Sequence, residues 1–262
     1  MAETVQVCSA TNLYQSGLLR LTPVERIGNL WLKRDDLFET CGVRGGKART
    51  CRALALGANG GLVTASARKS PQAAIVAAVA RNLRLSCRVH TSAGAKTAEL
   101  KLAQSLGAEI IAHKPGYNSV IVKRAADDAA ATGQTAIPFG MECRQAIELT
   151  SRQMANLPSN VRRIVVPVGS GMTLAAILTW LEATGHRVPV LGVVVGANPT
   201  RRLDNWAPEN WREMAELESA TIAYNCSAPD TTFGDVSLDP VYEAKCLPFV
   251  REDDLLWVVG RR

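Results

Sequence analysis

The stretch Arg163-Ile164-Val165-Val166-Pro167-Val168-Gly169-Ser170-Gly171-Met172-Thr173 reads as a buried strand, a glycine turn and the start of a helix over residues 174–183. A strand that is apolar at nearly every position must be covered on both faces, as in a parallel sheet wrapped by helices. The same alternation continues outward. Residues 188–195 and 255–259 read as further strands downstream. Upstream, Leu30-Trp31-Leu32-Lys33 is a short strand ended by Arg34-Asp35-Asp36. Strands follow at 62–65, at Leu85, Cys87 and Val89, at 109–113 and at 135–138. Helices are expected over 72–83, from a cap at Ser92 to Leu106, over 119–132 and over 146–157. Residues 1–29 read as irregular, 197–236 show no clear order, and 238–242 lead into a helix. Strands alternating with helices predict an α/β fold with parallel sheets.

Of the 262 residues, 47% are hydrophobic and 21% charged, which allows one large core or two small ones and excludes a wholly disordered chain. No apolar run is long enough to cross a membrane, and Met1-Ala2-Glu3-Thr4 lacks the basic and apolar regions of a signal peptide. The seven cysteines are scattered without a C-x-x-C, and the three histidines lack metal spacing. The expectation is a cytoplasmic, reducing setting with no metal and no membrane partner. The net charge of +6 suits a solvated basic surface, an anionic ligand or nucleic acid. Arg44, Lys47, Arg49 and Arg52 crowd one short stretch, a cluster that suits a phosphate or carboxylate better than a long nucleic-acid track.

Two glycines in Gly169–Thr173 allow close backbone approach to a ligand, and the free N–H groups and dipole of the helix start favour an anion. Ser170 and Thr173 add hydroxyl donors; an ordinary strand-to-helix turn is the alternative. In Arg44-Gly45-Gly46-Lys47-Ala48-Arg49, Lys47 opens an amphipathic run. A lysine beside cations and helix N-termini has its neutral amine favoured, which suits Schiff-base chemistry. Ser66-Ala67-Arg68-Lys69-Ser70-Pro71 is a second strand-to-helix turn, where Lys69 and Ser70 either meet a ligand or cap a helix as solvated residues. Tyr242 follows the turn-forming Asp239-Pro240 and is either a packing residue or a proton donor.

Five stretches, in order, resemble the fold type II (tryptophan synthase β-like) pyridoxal-phosphate enzymes, and most of all their ACC deaminase and D-cysteine desulfhydrase branch. They are Thr22-Pro23 through residues 30–37, Gly45-Gly46-Lys47-Ala48-Arg49, Leu106-Gly107-Ala108-Glu109, residues 166–173, and Leu238-Asp239-Pro240-Val241-Tyr242-Glu243-Ala244-Lys245. The resemblance implies two parallel-sheet, three-layer αβα domains: a larger one of residues 1–50 plus 136–262 that binds the cofactor, and a smaller, mobile one of 51–135. It implies pyridoxal 5'-phosphate, a Schiff base at Lys47, phosphate held by Gly169, Ser170, Gly171, Met172 and Thr173, and Tyr242 near the substrate. Lys69 and Ser70 occupy the turn that meets the cofactor ring and substrate carboxylate. A homodimer is also implied.

The departures from the family bear on the reaction. Gly46 stands where the family has Asn. The 66–71 turn lacks the family's Ser-Asn-His. The end Val258-Val259-Gly260-Arg261-Arg262 lacks the threonine that faces the pyridine nitrogen. The leading expectation is a lyase or deaminase acting at the α- or β-carbon of an amino-acid group. Two others accompany it: action on an amino-acid-modified base in DNA, as in bacteriophage hypermodification, and a binding protein that has lost catalysis.

Overall fold

The computed structural model describes residues 16–260. The N-terminal leader reading and Arg261-Arg262 therefore lie outside the described residues. The chain divides into two compact units, one of Glu39–Gln145 with residues 16–19, the other of Arg20–Phe38 with 146–260.

The second unit opens with a hairpin, β1 (Val24–Ile27) and β2 (Leu30–Arg34), paired antiparallel. Here the sequence reading needs correcting, because 24–27 is a strand. Its Val-Glu-Arg-Ile suits an edge position, and the Gly28-Asn29 turn that makes the hairpin is a recognisable signal. The unit resumes within α5 (Arg144–Ser151), from Ala146 on, and continues into a tighter 3-10 turn at Arg152–Asn156. Then come β7 (Arg163–Val168), α6 (Met172–Thr184), β8 (Val190–Val194), α7 (Thr200–Trp206), β9 (Ala215–Ser219) and β10 (Asp254–Val258).

The six strands lie in the order β1-β2-β10-β7-β8-β9, parallel everywhere except in the hairpin. Alternation along the strands separates two cores. Ile164, Val166, Leu255 and Trp257 pack with Leu174, Ile177 and Leu178 of α6. Val165, Leu256 and Val258 face the opposite way, toward Leu238, Ala244 and Cys246. That second cover is a 3-10 segment, Glu243–Phe249 with Pro248 inside it, in place of the expected α-helix.

The first unit contains α1 (Gly46–Ala55), β3 (Gly61–Ala65), α2 (Gln72–Asn82), β4 (Ser86–Ser92), α3 (Ala98–Ser105), β5 (Glu109–His113), α4 (Asn118–Thr132) and β6 (Thr135–Ile137). Its sheet is parallel throughout, in the order β5-β4-β3-β6. Val63 and Ala65 pack on Ile121, Ala125 and Ala129 of α4. Thr64 points to the other face, where Gln72 of α2 donates to it at 2.9 Å. The sheet is thus covered on both sides. The expected cap at Ser92 is corrected to Thr97, whose side chain accepts from Leu100 N–H. Ser92 itself pairs with His113 as the last residue of β4.

Between β4, β5 and α4 runs a directional chain of hydrogen bonds. Arg124 can only donate, so its Nη1 donates to His113 Nδ1 at 2.8 Å. That leaves the neutral His113 proton on Nε2, which donates to His90 Nδ1 at 2.9 Å. His90 Nε2–H then donates to Asp128 at 2.8 Å, where Arg88 also donates at 2.7 Å. Burial, then His90, then Arg124 hold the His113 pKa below its ordinary value. The folded state therefore resists protonating His113. Its contribution is intact above the unfolded histidine value and is lost as pH falls through that value toward the lowered one. Between pH 7 and pH 5 the melting temperature of the wild type should fall more steeply than that of His113→Gln. Parallel profiles for the two proteins would remove His113 as the cause.

Candidate active site

The glycine turn lies at the carboxyl end of β7, and α6 starts immediately after it. Gly171 is the N-cap of α6 with φ 89° and offers no side chain to cap it. That left-handed conformation is costly for any residue with a Cβ. The first-turn N–H groups of α6 have no carbonyl in a preceding turn to bond, and the 13-residue helix adds its positive dipole end. A dianion suits that position.

Gly169 is required for a different reason. A Cβ built on it would lie 2.9 Å from Cε1 of Tyr242 and 3.3 Å from its hydroxyl oxygen. The tyrosine ring therefore lies directly against the first residue of the turn. Its backbone is fixed by Asp239, whose Oδ1 accepts the N–H groups of Val241 at 2.8 Å and Tyr242 at 3.0 Å. This is the turn that an aspartate two residues upstream builds. Tyr224 meets the Tyr242 ring edge-on, with centroids 6.4 Å apart. The buried Lys245 donates to Ala223 O at 2.7 Å, anchoring the segment that carries Tyr224.

Next to Tyr242 stands a residue that the sequence reading passed over. Glu243 is fully buried. Its Oε1 accepts from Val259 N–H at 2.7 Å and Gly260 N–H at 3.2 Å, just past β10. Its Oε2 makes no hydrogen bond among the described residues. Burial first, then the nearby Asp239 charge, pushes its pKa up to about 8. The last strand itself ends in Val258-Val259-Gly260, without a hydroxyl. The structure brings a carboxyl to the end of that strand from the adjoining 3-10 segment. The available signal was an acid directly after Tyr242, in a segment otherwise able to bury.

The structure thus brings Gly169, Ser170, Gly171, Met172 and Thr173 together with Tyr242 and Glu243 in one unit. Lys47, Lys69 and Ser70 belong to the other. There, Gly45 is the N-cap of α1 with φ 92°, its carbonyl accepts Ala48 N–H at 3.0 Å, and Lys47 is half-buried in the first turn. The turn between β3 and α2 holds Ser70, whose Oγ accepts Gln72 N–H at 3.3 Å, and Lys69, which is exposed. Ser70 thus bonds the first N–H of α2 from one residue outside the N-cap position, which Pro71 holds. Among the described residues, no group of three or more His, Cys, Asp or Glu could hold a metal, and no helix is long and apolar enough to cross a membrane.

The raised pKa of Glu243 has a measurable consequence. Below about pH 4.5 the carboxyl is protonated in both folded and unfolded chains. As pH rises through about 8, the unfolded chain has already released the proton and the folded state must ionise a buried carboxyl, so stability is lost. Denaturant titrations of the cofactor-free protein should show Glu243→Gln gaining on the wild type by a few kcal/mol between pH 5 and pH 9. A pH-independent difference would contradict the assignment.

A buried carboxyl with one unsatisfied oxygen suits a basic ring nitrogen, and an uncapped glycine turn suits a phosphate. Both features of pyridoxal phosphate are therefore matched by residues of one unit. Comparison with known proteins agrees. The family described as "Pyridoxal-phosphate dependent enzyme" matches residues 11–239. No curated protein sequence matches. A crystal structure of an ACC deaminase homologue superposes with a TM-score of 0.80 at 22% identity, covering 99% of this chain and 95% of that one. A threonine deaminase from T.th. gives 0.66 at 16% identity, covering 97% of this chain and 98% of its own. Serine racemase from maize gives 0.65 at 12%, covering 97% and 93%. At these identities the likeness is one of fold. The family match extends over most of the 262 residues, and the chain belongs to the pyridoxal-phosphate dependent enzymes, with pyridoxal 5'-phosphate as its cofactor.

Proposed function

We propose that this protein is a lyase of the deaminase type, acting at the α- or β-carbon of an amino-acid group. The observation that carries the reading is the Tyr242 ring against the glycine turn, followed directly in sequence by the buried Glu243 with its unsatisfied Oε2. Bound pyridoxal phosphate supplies an aldehyde that condenses with amines and a ring that accepts electrons from the α-carbon. The residues of this chain supply the rest. N–H groups and hydroxyls of residues 169–173 hold the phosphate. Glu243, buried with an unsatisfied Oε2, would partner the ring nitrogen and keep water from it. Lys47 would hold the cofactor through its amine and would carry the proton to and from the α-carbon. Tyr242 places a hydroxyl at the reacting end, where it donates or accepts a proton. Lys69 and Ser70 meet the substrate carboxylate from their turn.

The holoprotein is to be incubated with amino acids in D2O, following α-proton exchange and the release of ammonia and keto acid. Lyase chemistry releases a keto acid, whereas recovery of the opposite enantiomer with no keto acid would show racemisation and overturn this reading. Tyr242→Phe should lower kcat by about 100-fold, the usual weight of one general acid or base. Gly169→Ala should weaken cofactor binding about tenfold, because its Cβ collides with the Tyr242 ring. Unchanged binding in that variant would contradict the packing argument.

One observation favours a second reading, in which the amino-acid group is attached to a base in DNA. Three loops follow strands β3, β4 and β5 of the first unit. They carry Arg68, Lys69, Lys96 and Lys114 with no acidic residue, and Tyr117 is 84% exposed. Basic loops with an exposed aromatic ring suit a nucleic-acid strand. Affinity for single-stranded DNA that falls steeply with salt, and is reduced in Lys96→Ala and Lys114→Ala, would support it. No binding at low salt would remove it.

A further inference from the structure

Arg202 has no counterpart in the sequence reading. It lies in α7, after residues 197–199 that follow β8 in the sheet of the second unit. The start of α7 is tightly fixed. Asn198 Oδ1 accepts Thr200 N–H at 2.8 Å, and Pro199 O accepts the N–H groups of Arg202 at 2.9 Å and Leu203 at 3.0 Å. The buried Leu203 packs at the glycine turn, where a Cβ on Gly171 would lie 3.4 Å from its Cδ2. From this platform Arg202 Nη1 donates to the carbonyl oxygen of Gly169 at 3.2 Å. The turn itself, residues 169–173, carries no charged side chain.

The Gly169 carbonyl and the Ser170 N–H belong to one planar trans peptide, so they point in opposite directions. Fixing the carbonyl on Arg202 therefore fixes the Ser170 N–H on the other side. The guanidinium also brings a permanent positive charge to a turn that holds an anion. We infer that Arg202 is a positioning residue for the cofactor phosphate: it orients the Gly169–Ser170 peptide and adds the charge that the turn lacks. This rests on residues 169–173 being the phosphate site, as proposed above.

The test compares two ligands that differ only in the phosphate. Cofactor-free protein is titrated with pyridoxal phosphate and with pyridoxal, following absorbance, for the wild type, Arg202→Gln and Arg202→Lys. Circular dichroism checks that each variant is folded. The expected result is a loss of about tenfold or more in affinity for pyridoxal phosphate in Arg202→Gln, with pyridoxal binding unchanged. Arg202→Lys, which keeps the charge, should recover part of the loss. Equal loss for both ligands would show a general structural role and overturn the inference. So would equal affinity in all three proteins. A wild type that binds pyridoxal phosphate no better than pyridoxal would instead overturn the phosphate site itself, and this inference with it. If Arg202→Gln does not fold, the Arg202→Lys comparison decides between the same outcomes.

Discussion

The second unit is organised around the contact between Gly169 and the ring of Tyr242. There is no room for a methyl group between them. This close approach joins the strand–turn–helix of β7 and α6 to the segment that runs from Asp239 to the end of β10. Asp239 sets the Tyr242 backbone, and Tyr242 lies against the turn. Glu243, the next residue, accepts the two N–H groups past β10. Two pieces, the glycine turn and the end of β10, are held by neighbouring residues of one short stretch. Loss of any one of these contacts shifts the others, because the stretch is 3-10 and irregular and has no helical ladder of its own to fall back on.

Buried ionisable side chains, Asp239, Glu243 and Lys245, are concentrated in the same place. A carboxyl that cannot complete its hydrogen bonds is normally a cost, since burial penalises its ionised form. Glu243 carries that cost within hydrogen-bonding reach of the last sheet strand. A cofactor ring with a basic nitrogen would remove it, by supplying a partner for Oε2.

The parallel sheets were legible in the sequence because their strands are apolar nearly throughout. Residues 163–168 and 190–194 could only be doubly covered, and the structure covers them. The glycine turn was legible because strand, glycine and helix signals fall in sequence there. What escaped the reading depended on partners distant along the chain. β1 is a strand because β2 pairs with it, and Ser92 stays in β4 because His113 pairs with it. Glu243 draws no role from the sequence, because the N–H groups it binds, of Val259 and Gly260, lie 16 and 17 residues further on. Arg202 lay in a stretch too rich in Trp, Asn and Pro to order by periodicity. The Ser66–Pro71 departures carry two readings in sequence, since Ser70 bonds the first N–H of α2 whatever else its turn does.

The proposed chemistry requires the chain to carry its cofactor on one particular lysine. Borohydride reduction of the protein loaded with pyridoxal phosphate, followed by proteolysis and mass mapping of the pyridoxyl label, reads that lysine out. One labelled peptide is expected, with the adduct on Lys47. A label spread over surface lysines, or placed on a single lysine other than Lys47, would contradict the proposal.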